Sequence, residues 1–93
     1  MKVAKKWDMA KYLDSEEMIT EYLNAALEDG DPAVISAALG NIARARGMSQ
    51  LSRETGVTRD GLYKALSPTG NPSFSTVQSV ISALGLKVVV QPA

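Results

Sequence analysis

The fold of this chain is decided by residues 51–66, which read LSRETGVTRDGLYKAL. Gly56 stands in the middle of this stretch, where a glycine can adopt the positive φ that a tight turn between two helices needs. We expect Leu51 before the turn and Leu62 after it to face a core, with Val57 filling the turn. The stretch therefore predicts a helix-turn-helix.

The helix after the turn is capped by Thr58 and carries polar residues on the side away from its leucines. A helix of this length fits the major groove of B-DNA, with its first turn nearest the base edges. There Arg59 could form a bidentate bond to guanine, and Asp60 could accept from cytosine or instead orient Arg59. Lys64, one turn further on, could reach a base or a phosphate. The predicted DNA-binding residues are Ser49, Gln50, Thr58, Arg59, Asp60, Tyr63 and Lys64.

A helix, a glycine turn and a second helix also occur in ordinary helical bundles, so the spacing around Gly56 leaves a purely structural role open. Two observations favour DNA. The motif lies in the basic part of the chain, and Gly61 interrupts the second helix where a purely structural helix would not need it. Close approach to DNA would explain a glycine at that position.

The helix before the turn is predicted to be short, over 49–55, and three further helices complete an all-α, five-helix domain. They are predicted because apolar residues recur at helical spacing. The bounds predicted for the three are Asp14 or Ser15 to Gly30, Asp31-Pro32 to about Arg46, and Ser73 to Gly85. Small residues in the second of these, Gly40 among them, suggest close helix packing. We expect one domain over 1–93, with an acidic N-terminal segment (1–31), a helix-turn-helix bundle (32–85) and a C-terminal strand (86–93).

The β-branched run from Leu86 to Val90 predicts a short C-terminal β-strand. A lone exposed strand edge is an aggregation hazard, and pairing with its copy in a second chain would remove the edge and make a symmetric dimer. Pairing or packing within the same chain is the alternative. We favour a homodimer formed through Leu86, Val88, Val89 and Val90.

Cysteine and histidine are both absent from the 93 residues. Their absence excludes disulfides, thiolate metal sites and nucleophiles activated by histidine. We therefore expect neither an enzyme nor a metal site, and no cofactor. No targeting segment or membrane-spanning stretch is evident, so we expect a soluble protein of the cytoplasm that does not bind membranes.

The net charge of zero hides an asymmetry. Residues 1–31 carry four lysines against eight carboxylates and net −4, whereas residues 32–93 carry six cations against two carboxylates and net +4. Seven of the acidic residues lie between residues 14 and 31 with no cation among them. A split of this kind suggests two faces with two partners, although solvated surfaces would show the same pattern.

Two sets of local motifs carry a family resemblance. The first comprises the stretch from Leu51 through Leu86, with its late Asn71-Pro72-Ser73 and Ala83-Leu84-Gly85 signals, and it resembles the Cro/phage-repressor (XRE) helix-turn-helix superfamily. The second set is Trp7-Asp8 with Tyr12-Leu13, Tyr22-Leu23 with Ala26-Leu27, Gly30-Asp31-Pro32, Ala37-Ala38-Leu39, Ala45-Arg46-Gly47-Met48, Leu62-Tyr63-Lys64-Ala65-Leu66-Ser67 and Gly70-Asn71-Pro72. With these included, nearly the whole chain resembles the probable addiction-module antidote proteins, a HigA-like antitoxin family.

The resemblance implies an antitoxin of a type II toxin–antitoxin pair, which neutralises a small basic ribonuclease toxin of the RelE/HigB-like kind and represses their shared operon. A toxin that cleaves RNA needs a cationic surface, which the acidic helix could cover. The predicted toxin-binding residues are Asp14, Glu16, Glu17, Glu21 and Glu28. A dimer would place two recognition helices about 34 Å apart on a palindromic operator in double-stranded DNA. The alternative is a stand-alone repressor without a toxin, in which the acidic helix is structural.

Overall fold

A computed structural model describes residues 13–93, and within this range all regular secondary structure is helical. The helices are α1 (Glu16–Asp29), α2 (Pro32–Arg46), α3 (Met48–Thr55), α4 (Arg59–Ala65) and α5 (Phe74–Ala83). The five-helix prediction is therefore confirmed for this part of the chain. The Trp7-Asp8 motif lies outside the described residues. Among residues 13–93, no helix is both long and apolar enough to cross a membrane.

Side-chain caps begin four of the five helices, each at a residue where the sequence predicted a helix to start. The Ser15 hydroxyl accepts a hydrogen bond from the Met18 N–H, so Ser15 rather than Asp14 begins α1. The Asp31 carboxylate accepts from the Ala33 N–H at the start of α2. The remaining two caps are Thr58 before α4 and Ser73 before α5. Because each cap satisfies an N–H that the helix leaves unpaired, each contributes about 1 kcal/mol.

Gly56 adopts the positive φ that the sequence predicts. Its φ is 78°, and its N–H donates to the Ser52 carbonyl at 2.9 Å, which ends α3. Val57 follows, half-buried against the core, and Thr58 then begins α4. The two helices are thus separated by a three-residue connection at the predicted position.

The core lies where α2, α3, α4 and α5 meet, and its largest fully buried side chains come from all four elements or their ends. They are Leu39, Ile42, Leu51, Leu62, Leu66, Val80 and Leu84. Helix α1 adds Ile19, Leu23 and Ala26 from one side. The leucines on either side of the turn are therefore core residues, as their spacing predicts.

Gly40 allows α2 to lie directly against the end of α4. A Cβ atom at this position would overlap the carbonyl oxygen of Leu66. Gly70 allows the loop after α4 to lie equally close to that helix, because a Cβ at Gly70 would overlap the carbonyl oxygens of Lys64 and Ala65. The close packing suggested by the small residues of α2 is confirmed at Gly40, and α4 is held by backbone contacts on two sides.

The predicted C-terminal strand is absent from the structure, and this part of the fold prediction was wrong. Residues 86–93 follow α5 without strand pairing, because the described part of a single chain offers no neighbouring strand to complete a hydrogen-bonded ladder. The Leu86 N–H instead donates to the Ile81 carbonyl, and its side chain packs on the core. Val88, Val89 and Val90 are 58%, 68% and 90% exposed.

Candidate functional site

Helix α4 presents most of the predicted DNA-binding residues on one exposed face. Its orientation follows from Leu62, which is fully buried and turns the opposite side of the helix outward. The exposed residues on α4 and at its N-cap are Thr58, Arg59, Asp60, Tyr63 and Lys64. We call these five residues the α4 face. They offer cationic, acidic, hydroxyl and aromatic groups on about two turns of helix, which is the chemistry that base edges and phosphates recognise.

Arg59 has an aromatic partner that the sequence interpretation missed. Its Cζ lies 5.9 Å from the centroid of the Tyr63 ring. Residues four apart on a helix are neighbours, so the spacing itself was the available signal. A cation–π contact at an exposed site contributes about 0.5–1 kcal/mol. The contact therefore restrains Arg59 on the α4 face.

Ser49 and Gln50 lie in the first turn of α3, away from α4 in sequence but exposed to solvent. Gly47 precedes this helix, and no side chain accepts from its first N–H groups. Phosphate oxygens are suitable acceptors for such groups. The Gln50 amide donates to the Glu54 carboxylate at 3.1 Å, so binding of Gln50 to a phosphate would exchange this hydrogen bond.

Gly61 has a structural explanation besides the one proposed from the sequence. A Cβ at this position would lie 3.0 Å from the Thr58 hydroxyl oxygen and 3.2 Å from Cγ1 of Val57. The Gly61 N–H also donates to that hydroxyl, which completes the cap of α4. Packing inside the turn is therefore tight at Gly61, and this glycine by itself no longer distinguishes DNA binding from a structural role.

The cations of the basic half have two different roles. Arg44 donates to the Asn41 side chain at 2.6 Å, and Arg46 donates to the Ala83 carbonyl at 3.4 Å, at the carboxyl end of α5. A cation at that end of a helix stabilises it. These two arginines of α2 are exposed but hydrogen-bonded within the chain, and the exposed positive charge on α3 and α4 comes from Arg53, Arg59 and Lys64.

Helix α1 brings three of the five predicted toxin-binding residues onto its outermost side. Glu17, Glu21 and Glu28 are exposed, and their spacing of four and seven residues aligns them along the helix. We call these three the acidic ridge. Glu16 borders Glu17 and Glu21 on the surface of α1, and one of its carboxylate oxygens lies 2.9 Å from the position that a Cβ on Gly85 would take. Asp14 is exposed but precedes the helix.

Three of the four predicted dimerisation residues line an apolar groove between α1 and the C-terminal tail. The groove measures about 280 Å³ and includes Leu86, Val88 and Val89. Leu27 of α1 forms part of the opposite wall and is 50% exposed. Leu27 was not predicted as a binding residue, since its place in the apolar period of α1 indicates a core position. Val90 lies beyond the groove in the exposed tail.

A profile of the probable addiction module antidote proteins matches residues 3–92 of the chain. The chain belongs to this antidote family. A protein of Haemophilus influenzae, described as uncharacterized, is 54% identical over 87 residues, which cover 94% of this chain and 90% of that protein. No solved structure matches the chain.

Membership in the antidote family identifies the chain as the antitoxin component of an addiction module and implies a toxin partner. The predicted resemblance is confirmed to this extent. For an antidote, an exposed acidic ridge beside apolar grooves is a surface on which a second protein can be recognised.

Proposed function

We propose that this antidote is a DNA-binding antitoxin of a type II toxin–antitoxin module. It neutralises a small basic ribonuclease toxin of the RelE/HigB-like kind and represses its own operon in the cytoplasm, acting by binding and not by catalysis. Within this proposal the α3–turn–α4 segment is a helix-turn-helix of the Cro/phage-repressor (XRE) type, and the chain is a HigA-like antitoxin. The observation that carries the DNA-binding part is the α4 face.

The α4 face supports this function because the core holds it from behind. Leu62 and Leu66 are buried, and the Leu66 carbonyl lies against Gly40, so α4 is a supported helix with one free side. A recognition helix needs a fixed orientation, since base-edge hydrogen bonds are directional. The uncapped first turn of α3 adds N–H groups that can anchor a phosphate.

The acidic ridge supports the toxin-binding part. Residues 14–43 contain no lysine or arginine, so the whole of α1 and most of α2 offer negative or neutral side chains only. A cationic toxin would be attracted to this side and repelled from the α4 face. Complementary charge of this kind increases the rate of encounter and selects the partner. The acidic ridge thus suits a cationic toxin, and the α4 face suits DNA.

The tail supports the proposed homodimer. Val88, Val89 and Val90 are exposed in one chain, and a second copy could cover them by pairing extended tails about a two-fold axis. The two α4 helices would then meet successive major grooves of a palindromic operator, about 34 Å apart.

Co-expression with the short basic protein encoded next to this gene tests the proposal. We expect the two to purify together, and we expect the antidote alone to shift a DNA fragment carrying the promoter of its operon, but not a fragment of scrambled sequence at the same salt concentration. A promoter shift without co-purification would favour the stand-alone repressor. Co-purification without a specific shift would remove DNA binding from the function.

A further inference from the structure

A second groove follows α1 on the other side of the acidic ridge, between α1 and α2. Its volume is about 350 Å³, enough for one or two large side chains. Ala26 and Ala38 are buried at its base, and its sides are lined by Tyr22 on α1 and Val34 on α2. Small alanines on both helices, Ala25 and Ala37 among them, keep the groove open.

Among residues 13–93, the charged residues at the rim of this groove are all acidic. Asp29 lines the groove, and Glu21 and Glu28 are exposed at neighbouring positions of the same helix. The α2 residues that line the groove are uncharged (Val34, Ala37 and Ala38), and residues 14–43 contain no lysine or arginine. A ligand for this groove therefore needs an apolar group for the base and positive charge beside it.

The groove between α1 and the tail differs in its charge. Lys87 is the charged residue that lines it, with no carboxylate among its lining residues. A cationic protein would be repelled by Lys87 and attracted by Asp29. The two grooves flank the same helix and are both apolar, so their charge is what separates a cationic partner from a second copy of the chain.

We infer that the α1–α2 groove is the docking site for a cationic amphipathic segment of the toxin. An apolar side chain of that segment enters between Ala25 and Ala37, and lysine or arginine side chains next to it contact Asp29 and Glu21. The acidic ridge then steers the approach, whereas the groove supplies the buried contact that slows dissociation. This inference rests on the proposed neutralisation of a basic toxin.

Filling the groove tests the inference without removing any charge. Ala25→Leu places a bulkier side chain in the groove at an exposed helical position, where leucine is tolerated. Ala33→Leu is the matched control, because Ala33 is exposed on α2 outside the groove. In titrations of the purified antidote with the basic protein encoded beside it, Ala25→Leu should raise the Kd by about tenfold or more. A tenfold rise corresponds to a loss of about 1.4 kcal/mol of binding free energy. Ala33→Leu should leave the Kd within about twofold of wild type.

A charge pair gives an independent measurement that does not depend on filling the groove. Asp29→Lys reverses the charge at the rim, and lysine suits the carboxyl end of α1. Glu54→Lys makes the same change in net charge on α3. Asp29→Lys should slow toxin association more than Glu54→Lys does, and the difference should shrink as salt is added.

The outcomes separate the inference from the proposed function. The inference is overturned, and toxin binding itself is left intact, if two results occur together. Ala25→Leu binds the toxin with the wild-type Kd, and Asp29→Lys associates with the toxin at the same rate as Glu54→Lys. A change in the oligomeric state of Ala25→Leu with unchanged toxin affinity would assign the groove to a second copy and equally reject the inference. If the wild-type antidote binds no basic partner, the proposed neutralisation fails and the inference fails with it, while the operator shift still reports on DNA binding.

Discussion

The α4 face and the α1 surface both carry exposed charge, but the fold supports them differently. Behind α4, the backbones of α2 and of the following loop approach so closely that Gly40 and Gly70 have no room for a Cβ atom. Helix α1 buries one side through Ile19 and Leu23 and is flanked by an open apolar groove on each side. The α4 face is therefore complete without a partner, whereas the α1 surface gains buried apolar area when a partner covers it.

This difference fits two kinds of partner. Double-stranded DNA presents a regular groove, and recognising it requires a helix whose orientation is already set. A protein partner brings side chains that can fill apolar grooves, and most of the binding free energy then comes from a few buried contacts. Substitutions on the two regions should accordingly change different quantities: fold stability and base preference at α4, assembly and association rate at α1 and the tail.

The largest effect is expected from Gly40→Ala. The added Cβ would overlap the Leu66 carbonyl oxygen, which is backbone and cannot move without shifting α4. Although alanine favours a helix by about 1 kcal/mol over glycine, overpacking should lower the net free energy of unfolding by about 1–3 kcal/mol. Thermal and urea unfolding monitored by circular dichroism measure this.

Gly61→Ala is the control for that prediction. The atoms nearest a Cβ at Gly61 belong to the side chains of Thr58 and Val57, which can move by a few tenths of an ångström. The change in the free energy of unfolding should stay within about 1 kcal/mol of zero. Equal destabilisation by the two substitutions would contradict the view that backbone contact behind α4 sets its position.

Arg59→Ala should come next and should act on DNA without unfolding the chain. Loss of a bidentate base contact is expected to cost about 1–3 kcal/mol at the operator and to relax base preference at one position. Lys87→Ala removes the same charge from the tail and should leave that preference intact. Quantitative gel shifts on operator variants distinguish the two; an unchanged sequence preference in Arg59→Ala would remove this residue from base recognition.

The paired change Val88→Ser and Val89→Ser tests whether the tail completes a homodimer. Val88 and Val89 are already partly buried within one chain, so covering their exposed parts contributes less than full burial of a valine, and the dimer Kd should rise by about tenfold in sedimentation equilibrium. Phe74→Ser changes an exposed apolar residue outside the tail and should not alter assembly. Deleting residues 86–93 is less informative, because Leu86 packs on the core. Persistence of the wild-type dimer in the paired variant would reject tail pairing.

The smallest effect on equilibrium affinity is expected from reversing the acidic ridge, with Glu17, Glu21 and Glu28 changed to lysine. Exposed rim charges mainly alter the association rate. Toxin capture should slow at low salt and approach the wild-type rate at high salt, with operator binding spared. Stopped-flow association at several salt concentrations measures this, and a rate that does not respond to the reversal would exclude the ridge from the encounter.

Local sequence signals predicted the helices well, and the reason is that their causes are local. Thr58 and Ser73 cap helices through N–H groups three residues ahead, and Gly56 ends α3 through its own φ. The α4 face followed from the same signals, because the position of Leu62 sets the side that turns outward. The strand predicted at Leu86 to Val90 failed because a strand needs a partner that local sequence does not provide.

The residues alone determined where helices begin and end and which side of α4 is polar, because caps, turns and apolar spacing act over three or four positions. Only the tertiary structure decided which cations serve the fold, as with Arg46 at the Ala83 carbonyl, and why Gly40 must lack a side chain. It also decided that α1 borders two grooves of different charge. These features depend on residues far apart in the chain, whose distances no local pattern specifies.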